Sequence, residues 1–375
     1  MLFRSSANVS VTDDVVLTIT GTNDAPTVSA ISSTKSEDDS SYVINLLSDA
    51  NAADPDSSDS LSVTDYSASG VDQSNTAITI PDGALTLNGA QLTVDPTTFD
   101  DLALNESVTL TINYNVNDGT TTTANTATIT ITGANDAPVV AAINTSTSED
   151  AAPYTLNLLS TSSDPDSSNA LSIENYSASA VDGNGQGITI PGSALSINGA
   201  QLTVDPNSFN HLAHGESVVI TVQCDISDGI TATPNTATIT VTGANDAPVI
   251  TTGLVTGSIT ETDAAISTTG DFSVADPDTS DTVTASVQSV TIAGSFNGTV
   301  PSALTDSSNQ QLLDMLSLNP VAGTVLDADQ PTGSDLTWTF SSAAGGNSAF
   351  DFLAKDQTLE LTYNVQDRKS TRLNS

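Results

Sequence analysis

The string GANDAPVV at 133–140 returns as GANDAPVI at 243–250, and GTNDAPTV stands at 21–28. The intervals are 112 residues (21 to 133) and 110 (133 to 243), about the size of one small domain. Self-similarity at a fixed period is the signature of an array, and everything else in the chain is read on that basis.

Two units superimpose almost without gaps. SEDDSSYVINLLS (36–48) matches SEDAAPYTLNLLS (148–160), and LTLNGAQLTVDP (85–96) matches LSINGAQLTVDP (195–206). A looser third unit keeps the order with FSVADPDTSDTV (272–283) and LELTYNVQD (359–367). The expected repeats are 27–138, 139–248 and 249–367, the last incomplete. Each consists of short segments alternating with period two between Asp, Asn, Gly and Pro, which are strand and turn signals. In the second unit the strands are expected near 139–146, 153–159, 170–176, 187–198 (bent at Pro191), 201–204, 217–226 and 236–243. Asn-Gly at 88–89 and 198–199 predicts type I′ hairpins. Residues 309–318 hold the one candidate helical turn. Seven short strands in this length favour an all-β, two-sheet sandwich of the immunoglobulin type, repeated in tandem.

Composition removes several function classes. Six basic residues against 45 acidic ones give a net charge of −39, which repels nucleic acid and anionic membranes. No apolar run is long enough to insert in a membrane, and MLFRSSANVS lacks the apolar core of a signal peptide. One cysteine excludes an internal disulfide.

The ends depart from the pattern. Residues 1–26 carry only the last strand of a preceding repeat, near 9–20, and residues 1–20 are expected to pack poorly. Residues 368–375 hold three of the six basic residues and resemble a translated sequencing adaptor. They are expected to be irregular, as a foreign tail; a basic recognition tail is the alternative.

Acids recur at fixed places in each unit. They are Glu37-Asp38 and Glu149-Asp150; Asp54 with Asp56, Asp164 with Asp166, and Asp276 with Asp278; Glu106 and Glu216, with Asp356 in the third unit; Asp118, Asp228 and Asp367; and Asn23-Asp24, Asn135-Asp136 and Asn245-Asp246. If successive strands reverse direction, all of these fall at the junctions between units. Like charges 4 Å apart repel by about 1 kcal/mol in water and about 4 at an effective dielectric of 20, so a convergence needs a counterion. Carboxylate, amide and backbone oxygens suit Ca²⁺, which takes 6–8 such ligands. A solvated polyanionic surface without metal is the competing reading. Pro138 and Pro248 fix φ and start the next strand extended.

SED eleven residues after NDAP, then DPDSSN, then SDGITATPNTATITVTGANDAP, is similar in order and spacing to a cadherin repeat. The bacterial cadherin-like and VCBS-type repeats of large secreted, RTX-type adhesins look closer still, and the third unit is the most VCBS-like. The resemblance covers residues 9–367. It implies calcium held between adjacent repeats of the same chain, in an extracellular or cell-surface protein of cell adhesion or biofilm attachment. Glu106 and Glu216 lie only near the place of the family's Leu-Asp-Arg-Glu motif.

Other chemistry finds little support. DPDSSDSLSVTD lacks the Gly and the terminal Glu of an EF-hand. His211 and His214 face Asp101 and Leu104 in the sibling unit, against a shared ligand role. Cys224 aligns with Tyr114 and Tyr363, a strand position set by size. No nucleophile–base set can be assembled, so no enzyme is expected. Two readings remain: a calcium-stiffened spacer in an adhesin, or a carbohydrate- or protein-binding module. Few aromatics favour the spacer, whose host, surface or glycan target would lie outside this sequence.

Overall fold

The computed structural model describes residues 14–250, 255–295, 299, 310–319, 324–326, 334–345 and 349–370. Two compact units emerge. One comprises Met1–Pro138 with Asp164–Ala170 and Asp228–Thr231; the other comprises Val139–Ser163, Leu171–Ser227 and Ala232–Ser375. Two acidic loops of the second repeat thus belong to the same unit as the first.

The first repeat contains β1 (Ile31–Ser36), β2 (Tyr42–Asn45), β3 (Ser62–Asp72), β4 (Ala77–Ile78), β5 (Leu85–Asn88), β6 (Gln91–Val94), β7 (Ser107–Asn117) and β8 (Thr122–Thr132). One sheet has the order β1-β8-β7-β3-β4 and the other β2-β6-β5. β1 runs parallel to β8, and the remaining pairs are antiparallel. The cause is period-two alternation. In β7, Val108, Leu110, Ile112, Tyr114 and Val116 all point inward and are buried, as are Ala127, Ile129 and Ile131 of β8. They meet Ile44, Leu92 and Val94 of the smaller sheet in one core, each large side chain contributing about 1.5–3 kcal/mol on burial.

The second repeat reproduces this plan with β9 (Val139–Val140), β10 (Ile143–Ser148), β11 (Tyr154–Asn157), β12 (Ser162–Ser163), β13 (Ser172–Asp182), β14 (Gly187–Ile188), β15 (Leu195–Asn198), β16 (Gln201–Val204), β17 (Ser217–Ser227) and β18 (Ala232–Thr242). Its sheets are β10-β18-β17-β13-β14 and β11-β16-β15, with β9 paired to β12. The third has β19 (Val249–Ile250), β20 (Ser267–Ala275), β21 (Thr282–Ser295), α1 (Gln310–Leu313), β22 (Leu316–Asn319), β23 (Thr324–Leu326), β24 (Ser334–Ser341) and β25 (Thr358–Ser370). These form the sheets β19-β20-β24-β22 and β23-β21-β25. The helical turn expected within 309–318 is α1.

Several expectations need correction. The single strand 187–198 is two strands: β14 pairs with β13 in the larger sheet and β15 with β16 in the smaller. The break falls at Pro191, whose carbonyl closes a turn with the Ala194 amide at 3.0 Å; proline has no N–H to continue a ladder. The strand expected at 139–146 likewise splits into β9 and β10. The Asn-Gly hairpins are not type I′. Asn88 is the last paired residue, opposite Gln91, so the loop is Gly89-Ala90. Only Gly89 has positive φ (59°), which is the type II′ arrangement with Gly first. The irregular tail expected over 368–375 begins instead as strand: Arg368, Lys369 and Ser370 pair with Thr284, Val283 and Thr282. Residues 371–375 lie outside the described residues. At the other end, residues 1–13 lie outside them too, and 14–20 carry no strand. There Val15, Val16, Leu17 and Ile19 are 79–92% exposed.

Candidate metal centres

The linker motif is held by its glycine and by a buried glutamate. A Cβ on Gly133 would stand 2.2 Å from the Ala103 carbonyl oxygen, so only Gly lets residue 133 pass so close. Its amide donates to the Glu106 carbonyl at 2.9 Å. Glu37, fully buried, accepts from the Ala134 amide at 2.6 Å and the Leu102 amide at 3.2 Å. β1 thereby delivers one carboxylate to the start of the linker.

Around Glu37 the first centre assembles. Carboxylate oxygens of Glu37, Asp136 and Asp166 lie within 4.8 Å of one another. The Asp136 amide donates to Asp166 Oδ2 at 3.1 Å, and the Asp166 amide to Asp164 Oδ1 at 3.0 Å. The oxygens left over are informative: Asn135 Oδ1, Asp136 Oδ2, Asp164 Oδ2 and Asp166 Oδ1 are buried without a hydrogen-bond donor. Electrostatics record the crowding. Burial, then Asp136 and Asp166, push the Glu37 carboxyl up to about 7 against two opposing amide bonds. Burial, then Asp100, Asp166, Asp38 and Asp164, raise Asp136, and burial also raises Asp166.

The second centre repeats this within the other unit. Glu149 accepts from the Ala244 amide at 2.8 Å and the Leu212 amide at 3.2 Å, and lies within 4.8 Å of Asp246 and Asp278. Burial raises its carboxyl to about 7, with Asp278 and Asp246 adding to the shift. Asp246 Oδ2, Asp276 Oδ2 and Asp278 Oδ1 are buried without donors. One difference stands out: Lys369 Nζ donates to the Asp246 carbonyl at 2.7 Å and to Asp276 and Asp278, and pairs with Asp281 at 3.0 Å.

Other residues named from sequence take different tasks. Asp228 accepts from the amides of Ile230 and Thr231, the Thr231 hydroxyl and the Asn135 side chain. Four donors fill a carboxylate's acceptor sites, so Asp228 shapes its turn and docks Asn135. Burial opposes its charge, yet those bonds bring its carboxyl to about 2. Asp118 is bound the same way by Thr121, Thr120 and Asn23, which hold it below the ordinary range. Glu106 and Glu216 accept from the amides of Ala103 and Ala213, closing their own loops. In the third repeat Gln357 does this for Ala354, so the task needs an acceptor rather than a charge. Asp367 stands in β25 opposite Ala285 and is not among the carboxylates grouped at the second centre. Near the N-terminus, Asp54 and Asp56 cluster with Asp59, and the Asp24 amide donates to Asp56 Oδ2 at 2.8 Å.

Asp38, marked in sequence by the Glu-Asp pair, forms a second group with Asp136 and Asp100. Sequence reasoning missed Asp100, which had no motif to mark it. It also missed Asp59 and Asp281, five residues after the first Asp of their loops.

The donor set fits a hard divalent cation. Oxygen ligands alone, several of them buried without protons to accept, match Ca²⁺ preferences, whereas leaving such groups unpaired is costly. The only cysteine is buried in the second core and offers no soft ligand here.

Comparison with known proteins agrees on the fold. A family model described as a bacterial Ig domain matches residues 135–242. No curated protein sequence matches the chain. Among solved structures it is similar to protocadherin gamma B7 extracellular cadherin domains 1–4, at 14% identity over 91% of this chain and 75% of that one, TM-score 0.32. It is also similar to Drosophila N-cadherin EC1–4, at 9% identity over 91% and 72%, TM-score 0.27. An endo-fucoidan hydrolase of glycoside hydrolase family 107 matches at 20% identity over 58% of this chain, with TM-score 0.22. The chain spans only 29% of that hydrolase. The chain is a tandem array of immunoglobulin-like β-sandwiches.

Proposed function

We propose that this is a calcium-stiffened repeat region of a secreted, cell-surface adhesin, serving as a spacer in cell adhesion or biofilm attachment. The observation that carries it is the pair of buried carboxylate groups, Glu37–Asp136–Asp166 and Glu149–Asp246–Asp278, with oxygens that no donor meets. Ca²⁺ would be held by Glu37, Asn135, Asp136, Asp164 and Asp166, and by Glu149, Asp246, Asp276 and Asp278. There it would supply divalent positive charge to the crowded carboxylates. Their repulsion otherwise works against the linkers 133–138 and 243–248; neutralised, it ties each linker to its loops.

Extracellular calcium modules bind with Kd on the order of 10⁻⁴–10⁻³ M, so occupancy would follow the outside medium. At about a hundred times Kd a bound ion adds roughly 2.7 kcal/mol to the folded state. Calorimetric titration of the full chain, with small-angle scattering in calcium and in chelator, tests this. Calcium heat and a longer maximum dimension are expected. No heat and an unchanged dimension would sink the proposal.

A further inference from the structure

Asp136 belongs to two carboxylate groups at once. It lies within 4.8 Å of Glu37 and Asp166 in one, and within 4.8 Å of Asp38 and Asp100 in the other. The first group is largely buried, whereas Asp38 and Asp100 are exposed. Burial first, and Asp100 next, raise the Asp136 carboxyl. Crowding alone makes no site, but acceptors here also lack donors. Asp136 Oδ2 and Asp166 Oδ1 are each buried and met by none, and Asp166 is only 1% exposed.

The second centre departs at one position of this constellation. FDDL at 99–102 becomes FNHL at 209–212, so Asn210 stands where Asp100 does. Burial, Asp278 and Asp150 raise the Asp246 carboxyl, while Lys369 and a hydrogen bond from the Asn210 side chain oppose them. Asp150, the counterpart of Asp38, joins no carboxylate group among the described residues. The reverse exchange occurs in the other loop, where Asn169 of the first centre is Asp281 of the second. The two exchanges cancel in number. The centres therefore differ in where their carboxylates stand rather than in how many they have.

We propose that Asp38, Asp100 and Asp136 hold a second divalent cation at the first centre, and that Asn210 removes this subsite from the second. The inference rests on the calcium reading above. Ionised carboxylates only accept, so three of them in contact repel until a cation or a donated hydrogen bond intervenes. Asn210 donates such a bond to Asp246; Asp100 has none to give to Asp136. Carboxylate oxygens, with water at the remaining positions, suit Ca²⁺, which takes 6–8 oxygen ligands. Exposure of Asp38 and Asp100 leaves this cation more hydrated than the one beside Glu37, so it leaves first as calcium falls. While bound, it ties the linker at Asp136 to the end of β1 and to the turn after Phe99. At the second centre the bond between Asn210 and Asp246 makes the corresponding tie without metal.

Equilibrium dialysis of the full chain tests this, at physiological salt to screen diffuse binding to a polyanion. Asp100→Asn should lose about one calcium ion per chain, and Asn210→Asp should gain about one. Asp101→Asn, next in sequence but outside both groups, should match the wild type. Far-UV circular dichroism should be the same for all four proteins. An unchanged count in Asp100→Asn or in Asn210→Asp, with calcium still bound by the wild type, would overturn the inference and leave the calcium reading intact. An equal loss in Asp101→Asn would overturn it too, by making the effect one of net charge. A wild type that binds no calcium would sink the calcium reading and the second cation with it.

Discussion

Asn135 donates its side-chain amide to Asp228 Oδ2 at 2.9 Å, across 93 residues of sequence. Asn23 makes the same bond to Asp118 at 3.1 Å. The bond joins a linker to a turn, and its acceptor stays ionised because turn amides already hold it. A hydrogen bond to a charged group contributes about 1.5–3 kcal/mol. Asn135→Ala should therefore speed amide exchange at 133–138 by about tenfold or more, with 21–26 unchanged. Equal effects on both segments would show that the bond is not local.

Asp136→Ala should change sign with calcium. In chelator, removing one of three crowded carboxylates relieves repulsion, so the first centre should gain about 1 kcal/mol. In calcium the same variant should lose a ligand, with weaker binding at this centre and none of that loss at Asp246. Melting curves with and without chelator should cross relative to wild type. Parallel curves would mean that Asp136 holds no cation.

Much of this was legible in the sequence. Period-two runs such as 107–117 and 236–242 dictated their strands, since alternation leaves one face to bury. The recurring acids pointed to Glu37, Asp136 and Asp166 through chain direction alone. What escaped is local. Hydrogen-bond saturation makes Asp118 and Asp228 turn formers, and nothing in an Asp-Gly dipeptide reveals how many donors will converge on it. Pro191 marked a bend, but which sheet each half joins depends on tertiary pairing. Lys369 sits in a stretch whose composition suggested an irregular tail, yet its neighbours continue the ladder of β25.

Glu106 offers a separation of shape from charge. If its task is to accept the Ala103 amide, Glu106→Gln should be nearly neutral in stability, as Gln357 already shows the amide can serve. Glu106→Ala should cost about 1–2 kcal/mol by leaving that amide without its acceptor. Chemical denaturation measures both. A large loss in Glu106→Gln confined to calcium would instead make Glu106 a ligand.

Glu37 and Glu149 predict how pH acts on the chain. Each carboxyl is raised from 4.5 to about 7 in the folded state, chiefly by burial. Between those values the folded chain holds protons that the unfolded chain has released. The stabilisation is complete below about pH 4.5, declines as pH rises, and is gone above about 7. The decline is on the order of 3 kcal/mol for each glutamate. Calcium should reverse it, because the cation binds the ionised form and adds stability as pH rises. Glu37→Gln should flatten the chelator profile for the first repeat while the Glu149 contribution persists. Denaturation midpoints in chelator between pH 4.5 and 8 provide the measurement. A stability that rises with pH in chelator would mean that both glutamates ionise freely, and that their carboxylates already have a partner.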